Sequence, residues 1–360
     1  MKRRGMIKAA AAASLAGTAA APAIAQSLPT VRWRLASSYP KTLDTIYAAA
    51  ETVANRVSAA TGGKFEIRVY AAGEVVPAYQ VIDAVQQGSV ECGHAGALLM
   101  FGKDPTFALD GQIPFGMTSR QMTGWMYDGG GMQLLREFYR DYDIVNFPCG
   151  NTGTQMGGWF RKEIKSVADM KGLKFRVGGF AGKVLERMGV VPQNIPAGEI
   201  YQSLEKGTID AAEWIGPHDD LKLGLNKVAP FYYYPGWWEG GPQLTLYVNQ
   251  KAYDALPAEY KAIVDAASAY AHVEIQARYD VYNPTALRQL AAQKAKVLPF
   301  PKDMMDVAFK HSQELYSEIS AKNPNWKKVY DDYAKYRAEA NWWFRFSEAR
   351  FDGFMQSQKL

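Results

Sequence analysis

Apolar and polar residues alternate over residues 31–36, and the spacing then lengthens, with Leu43, Ile46, Ala50, Val53 and Val57 recurring at helical intervals across 41–60. Thr61-Gly62-Gly63 closes that predicted helix. Alternation returns over 65–70, with Phe65, Ile67 and Val69 on one face. Residues 77–87 then predict a short helix ended by Gly88, and 90–97 a third strand. This β-α-β-α-β order predicts a mostly parallel sheet with helices on both faces. Ligands on such sheets sit beyond the carboxyl ends of the strands, so the loop 93–103, carrying Leu98 and Leu99, is a candidate cleft wall.

A second unit begins near Asn151. Residues 154–160, 173–177 and 209–215 read as strands, 182–188 and 197–206 as helices, and 166–171 as a turn or short helix. Residues 244–249 read as a strand returning to the first unit. A unit inserted between two crossings, near 150 and 245, predicts an α/β protein of two hinged lobes with a cleft between them. The boundaries expected are 26–150 plus 250–325 for the first lobe, 151–249 for the second, and 326–360 for a C-terminal helical element. A long helix is expected over 254–282, interrupted at Asn283-Pro284, resuming to about residue 294. Strand-like residues 297–300 follow, then helices over 303–320 and 326–356.

The N-terminus changes the charge picture. Lys2, Arg3, Arg4 and Lys8 precede a small-residue apolar run, and Ala23-Ile24-Ala25 fits a signal-peptidase site, so cleavage is expected after Ala25, with export to the periplasm. The run is too short for a span of about 20 residues, which disfavours a membrane anchor. Arg3-Arg4-Gly5-Met6-Ile7-Lys8 also resembles a twin-arginine signature; paired arginines occur in ordinary export signals too, so both routes stand. The whole chain has 41 Lys and Arg against 36 Asp and Glu, but residues 1–25 hold four of the former and none of the latter, leaving 37 against 36. A nucleic-acid partner needs a concentrated basic surface, which this balance argues against. Two cysteines, Cys92 and Cys149, are too few for a disulfide scaffold; buried thiols and a single bridge are both open.

No Walker A sequence, dinucleotide-binding glycine fingerprint, His-Glu-x-x-His or Gly-x-Ser-x-Gly is present, and His94, His218, His272 and His311 are scattered without metal-ligand spacing. These absences point away from an enzyme. Arg176, between Phe175 and Val177 in a short apolar strand, would be costly to desolvate without an anion. A ligand carboxylate would meet its fork of donors, and so would an internal Asp or Glu.

The run 166–176, the helix 182–188 and the stretch Pro196 to Glu213, with Glu199, Tyr201, Leu204, Gly207 and Asp210, resemble the TRAP-transporter solute-binding family (DctP group). Asn151 to Phe160 with Gln155 and Trp159, Glu213-Trp214-Ile215-Gly216-Pro217, and Tyr232 to Pro242 with Trp238 are similar to its 2-oxo-acid-binding branch. The similarity runs through essentially the whole mature chain. It implies a periplasmic-binding-protein-like fold with a hinge, a long interlobe helix and C-terminal helices, and a membrane permease as partner. It also implies that Arg176 binds the ligand carboxylate, with Asn151, Leu98 and Leu99 beside it. A cation, typically sodium, would be held by Gln155, Glu213, the Trp214 carbonyl and Gln243, with Gln155 and Trp214 also meeting the ligand. Carboxylate, amide and carbonyl oxygens suit a hard cation. A 2-hydroxy acid such as lactate bound with calcium, and a ligand sensor with no transport role, fit the same residues.

The type member of that branch has consecutive tyrosines where this chain has Leu98-Leu99-Met100, which predicts a less polar pocket favouring an acid bulkier than pyruvate. The run 231–238 reads either as lobe core or as a ligand-stacking loop. Trp342, Trp343, Phe344, Phe346, Phe351 and Phe354 cover more than one helical face. They dock on the chain's own lobes or, as the resemblance permits, on a second copy in a swapped homodimer.

Overall fold

The computed structural model describes residues 28–358; the expected export signal lies outside them. Eleven strands occur among these residues: β1 (Val31–Ser37), β2 (Phe65–Tyr70), β3 (Cys92–Ala95), β4 (Ile144–Asn151), β5 (Gly158–Phe160), β6 (Lys174–Arg176), β7 (Val191–Gln193), β8 (Ala211–Ala212), β9 (Phe231–Tyr234), β10 (Gln243–Asn249) and β11 (Lys296–Pro299). They form two sheets, ordered β2-β1-β3-β10-β4 and β11-β9-β5-β8-β6-β7.

In the first sheet β1 runs parallel to β2 and β3, while β10 enters antiparallel to β3 and β4. The helix Asp44–Ala60 covers one face, burying Ile46, Ala50, Val53 and Val57 at the spacing read from sequence. Each such valine contributes about 1.5–3 kcal/mol relative to exposure. The helix stops where Thr61 turns its hydroxyl back to the Val57 carbonyl (2.8 Å) and Gly62 and Gly63 take positive φ, a region open to residues without a Cβ. Cys92 and Cys149 are separate buried thiols, and burial pushes both pKa values up.

Three expectations need correction. Residues 296–299, assigned above to the first lobe, form β11 and pair in parallel with β9 of the second sheet; Phe300 then stacks on Tyr233 (5.0 Å between centroids). The long helix runs unbroken from Ala258 to Ala292 through Pro284. Tyr279 before the proline and Ala286 and Leu290 after it are all buried, so packing against the two lobes holds both halves on one axis despite the lost amide donor. The single helix expected over 326–356 is two, Pro324–Phe346 and Glu348–Gln356, divided at Ser347, whose φ and ψ (−97° and −105°) are not helical. No helix among the described residues is long and apolar enough to cross a membrane.

The chain passes between the sheets over 152–157 and 235–242, and these two segments are laced together. Gln155 N–H donates to the Glu239 carbonyl (3.0 Å), Gly236 N–H to that of Gln155 (2.9 Å) and Thr152 N–H to that of Pro242 (3.3 Å). The approach is close enough that a Cβ at Gly236 would stand 2.6 Å from the Met156 carbonyl oxygen. The site is built around these paired crossings.

Candidate functional site

A cavity of about 80 Å³ lies where the two sheets face each other across these crossings. Arg176 ends β6, and Glu213 follows the last residue of β8. The two strands are parallel neighbours with Arg176 opposite Ala212, and Glu213 N–H donates to the Arg176 carbonyl (3.1 Å). Parallel strands finish on the same side of a sheet, so topology itself brings the guanidinium to the carboxylate. Both are nearly sealed from solvent, at 7% and 5% exposure. Arg176 Nε donates to the Ile195 carbonyl (3.0 Å), and Nη1 donates to both the Glu213 carbonyl (2.6 Å) and its carboxylate. Trp214, also on the cavity wall, carries the guanidinium over its ring at 5.0 Å. The internal partner and the cavity position, both open for Arg176 from sequence, therefore occur together.

Burial pushes the Glu213 carboxyl up to about 7, against the pull of the Arg176 charge and with help from Asp220. Glu239, from the second crossing, also lines the cavity. Its pKa is raised well above the carboxylate range by burial and then by Glu213, with Arg176 opposing. The sequence reading missed Glu239 because nothing local in Trp237-Trp238-Glu239 marks it; only the crossing turns it toward Glu213.

Gln155 and Gln243 line the same cavity as expected. Gln155 Nε2 donates to Thr152 Oγ1 (3.2 Å), and Gln243 Nε2 donates to the backbone and carboxylate oxygens of Asp110 (3.0 and 3.1 Å). The amide oxygens of both glutamines are buried without a hydrogen-bond partner among the described residues. A buried acceptor left unmet costs about 1–3 kcal/mol, so two of them on one cavity mark a place for something that accepts lone pairs. With the carboxylates of Glu213 and Glu239 they make an all-oxygen set that fits a hard cation. No group of three or more His, Cys, Asp or Glu side chains among the described residues could hold a metal, so the amide oxygens are needed.

Leu98 reaches the cavity from the turn Ala97–Met100, and its side chain stands against Gly178 and Gly179 of the opposite lobe, where a Cβ on either would lie 3.1 Å from it. Two residues expected beside the ligand do not line this cavity. Leu99 packs into the apolar cluster behind the wall, because the tight turn rotates it away from the cavity. Asn151 is absent from the wall: its amide donates to the Gly241 carbonyl (3.0 Å) and accepts from Gly153 N–H (2.9 Å), fastening the crossings instead. Phenols do face this region, though not from the loop 93–103. Tyr39, beyond the end of β1, lines the cavity with its pKa raised by burial. The Tyr79 hydroxyl is buried near Arg176, which pulls its pKa down against the larger upward push of burial.

The histidines lie outside this chemistry. His94 and His272 are buried, and desolvation lowers both to about 4, so they stay neutral. His272 accepts at Nδ1 from Gly150 N–H (3.4 Å), and Nε2 bonds the Thr123 hydroxyl (3.0 Å). In the run 231–238, Tyr232, Tyr233, Trp237 and Trp238 are core, with Tyr232 stacked on Trp159 at 3.9 Å.

Residues 36–323 match the family described as bacterial extracellular solute-binding protein, family 7 (DctP). The chain belongs to that family. Over 332 residues this DctP-family protein is 47% identical to a monocarboxylate 2-oxoacid-binding periplasmic protein of Nostoc sp., covering 92% of this chain and 91% of the relative. Among solved structures, a TRAP transporter solute-binding protein from Bordetella bronchiseptica is 52% identical with a TM-score of 0.90, covering 91% of this chain and 98% of that one. It is a mixed-occupancy dimer with calcium and picolinate in one site and the other site apo. A TRAP periplasmic solute-binding protein from Pseudoalteromonas atlantica, with bound sodium and pyruvate, is 38% identical with a TM-score of 0.87 over 92% of this chain and all of that one. The two-sheet architecture is thus that of the two-lobed TRAP solute-binding proteins, and this chain is one of them.

Proposed function

We propose that this DctP-family protein is exported to the periplasm, loses residues 1–25, and binds a small monocarboxylate of the 2-oxo-acid class together with a sodium or calcium ion. It then presents that ligand to the membrane permease of a TRAP transporter. It binds and does not turn its ligand over. The observation that carries this reading is a buried arginine facing a cavity that also holds two carboxylates and two unpartnered amide oxygens. Arg176 would meet the ligand carboxylate with its fork of donors. The cation would take Gln155, Glu213, Glu239, Gln243 and the Trp214 carbonyl, offsetting acids that otherwise repel an anionic ligand. The relatives from Nostoc, Bordetella and Pseudoalteromonas support the ligand and cation classes.

Isothermal calorimetry on refolded, ligand-free mature protein tests this. Pyruvate, 2-oxobutyrate, 4-methyl-2-oxovalerate and lactate would each be titrated with sodium, with calcium and with a bulky organic cation. Binding of a 2-oxo acid that requires a metal cation is expected. Binding indifferent to the cation removes the metal from the reading, and no binding at all moves the ligand to another class.

The family resemblance and the Bordetella dimer also support a homodimer. Trp342, Trp343, Phe346, Phe351 and Phe354 are all more than half exposed on the C-terminal helices, an apolar surface that a second copy would cover. Sedimentation equilibrium is expected to give twice the chain mass, and a monomer from removal of residues 342–360; a monomeric intact chain rules the dimer out.

A further inference from the structure

One buried carboxylate stands behind the cavity without touching it. Asp110 is fully buried, yet it meets no cation among the described residues and is enclosed by hydrogen-bond donors. Oδ2 accepts from the hydroxyls of Tyr139 (2.7 Å), Thr245 (3.0 Å) and Tyr247 (3.4 Å), and Oδ1 from the amides of Asn146 (3.2 Å) and Gln243 (3.1 Å). Gln243, Thr245 and Tyr247 alternate along β10, so one face of that strand carries three of the five donors, and β10 has a register irregularity between Gln243 and Thr245. Five donors fill the acceptor capacity of the two carboxylate oxygens, which fixes the orientation of the Asp110 side chain.

We infer that Asp110 is a positioning residue that fixes which end of the Gln243 amide faces the cavity. An unrestrained glutamine can turn either its oxygen or its NH2 group toward a ligand, and the two have opposite chemistry. Here Nε2 is claimed twice by Asp110, through the carboxylate and through its backbone carbonyl, so Oε1 is the end left for the cavity, where it has no partner. Oε1 attracts a cation, whereas an NH2 group there would repel one and bind the ligand's own oxygens. The carboxylate thereby selects for a metal ion at this corner without ligating it, as partners behind a metal ligand do elsewhere. The inference rests on the cation reading proposed above.

Asp110→Asn tests the carboxylate's share of this hold, since the new amide can donate to Gln243 Oε1 and leaves only the backbone carbonyl of residue 110 to oppose the flip. Ligand binding would be followed by calorimetry over a sodium series, beside thermal unfolding in sodium-free buffer. The half-saturating sodium concentration is expected to rise about tenfold or more in the variant, the range that loss of an outer partner produces. Thr245→Val, which removes a donor to Asp110 and leaves Gln243 untouched, is expected to change unfolding and keep the sodium response. Wild-type protein that responds to sodium beside an Asp110→Asn variant that responds equally overturns this inference alone; wild-type protein without a sodium response overturns it together with the cation reading. Should Asp110→Asn fail to fold, ¹⁵N spectra of the wild-type Gln243 side chain decide. Both amide protons protected from exchange, with and without sodium, is the expected result, and an unprotected, freely rotating NH2 overturns the orientation.

Discussion

The two walls of the cavity differ in kind. The second-lobe wall is charged and already assembled: Arg176 and Glu213 sit at adjacent strand ends, joined by a shared carbonyl and an ion pair. The first-lobe wall is neutral, made of Tyr39, Ala97, Leu98, Gln112 and Gln243, and the carboxylate behind it, Asp110, is screened by five donors. This difference divides the labour of recognition. On the proposed reading a ligand carboxylate would be met by the charged wall whatever its tail, through the donors of the buried guanidinium. The neutral wall would face the rest of the ligand, where size and shape decide the fit.

Arg176→Ala attacks that division at its strongest point. Truncating one side of a buried charge pair costs about 2–5 kcal/mol, so ligand affinity should fall by about 30-fold to several thousandfold. The protein should also lose stability, because Glu213 is left buried without its partner. Arg176→Lys keeps the charge and loses the planar fork, and an intermediate affinity is expected. Calorimetry with pyruvate checks both. Affinity within about threefold of wild type in Arg176→Ala would mean that the neutral wall, not the charged one, anchors the ligand.

Leu98→Ala sharpens the comparison from the other side. It opens space against Gly178 and Gly179 without touching a charge. One methylene in an apolar pocket changes discrimination by about 10-fold or more, so the preference for 4-methyl-2-oxovalerate over pyruvate should rise by at least that factor while the cation requirement is unchanged. An equal change for both acids would show that Leu98 acts on closure in general and not on shape.

How much of this was legible follows from the same contrast. Arg176 stood out because a charge in an apolar strand is anomalous, whereas only the family resemblance marked Glu213; both strands end at the cavity for topological reasons. The first-lobe wall was harder to read. Leu98 and Leu99 are adjacent and chemically alike, and only the tight turn Ala97–Met100 separates wall from core. Asn151 falls beside the right residues, but its amide is spent on Gly153 and Gly241. Tyr39 and Glu239 come from a loop and a crossing and Tyr79 from the short turn Ala78–Gln80, where no periodicity announces a direction. A signal was present for Asp110: Gln243, Thr245 and Tyr247 put three polar side chains on one face of β10, opposite Leu244, Leu246 and Val248, and a polar stripe inside a buried strand needs a common partner. At the level of fold, Pro284 was read by local propensity, which tertiary packing on both sides of it overrides. β11 was misplaced because a four-residue edge strand carries no label for its sheet.

The smallest effect belongs to the rim, where the lobes also meet. Asp44, opening the helix Asp44–Ala60, pairs with Lys222 and with His218 Nε2 (3.3 Å) on the helix Pro217–Leu223. Burial raises the Asp44 pKa, but the Lys222 and His218 hydrogen bonds outweigh it and hold the carboxyl below its ordinary value. If the lobes part on ligand release, contacts between these two helices would be lost with them, so the pair would favour the closed form. Asp44 is 65% exposed, however, and exposed pairs are worth about 0–1 kcal/mol and are screened by salt. Asp44→Asn should therefore weaken ligand binding by no more than about fivefold, through faster release, and the difference should vanish at about 1 M salt. Stopped-flow release rates at low and high salt measure this. A loss as large as that from Arg176→Ala would place the closing force at the rim and undo the assignment of recognition to the two cavity walls.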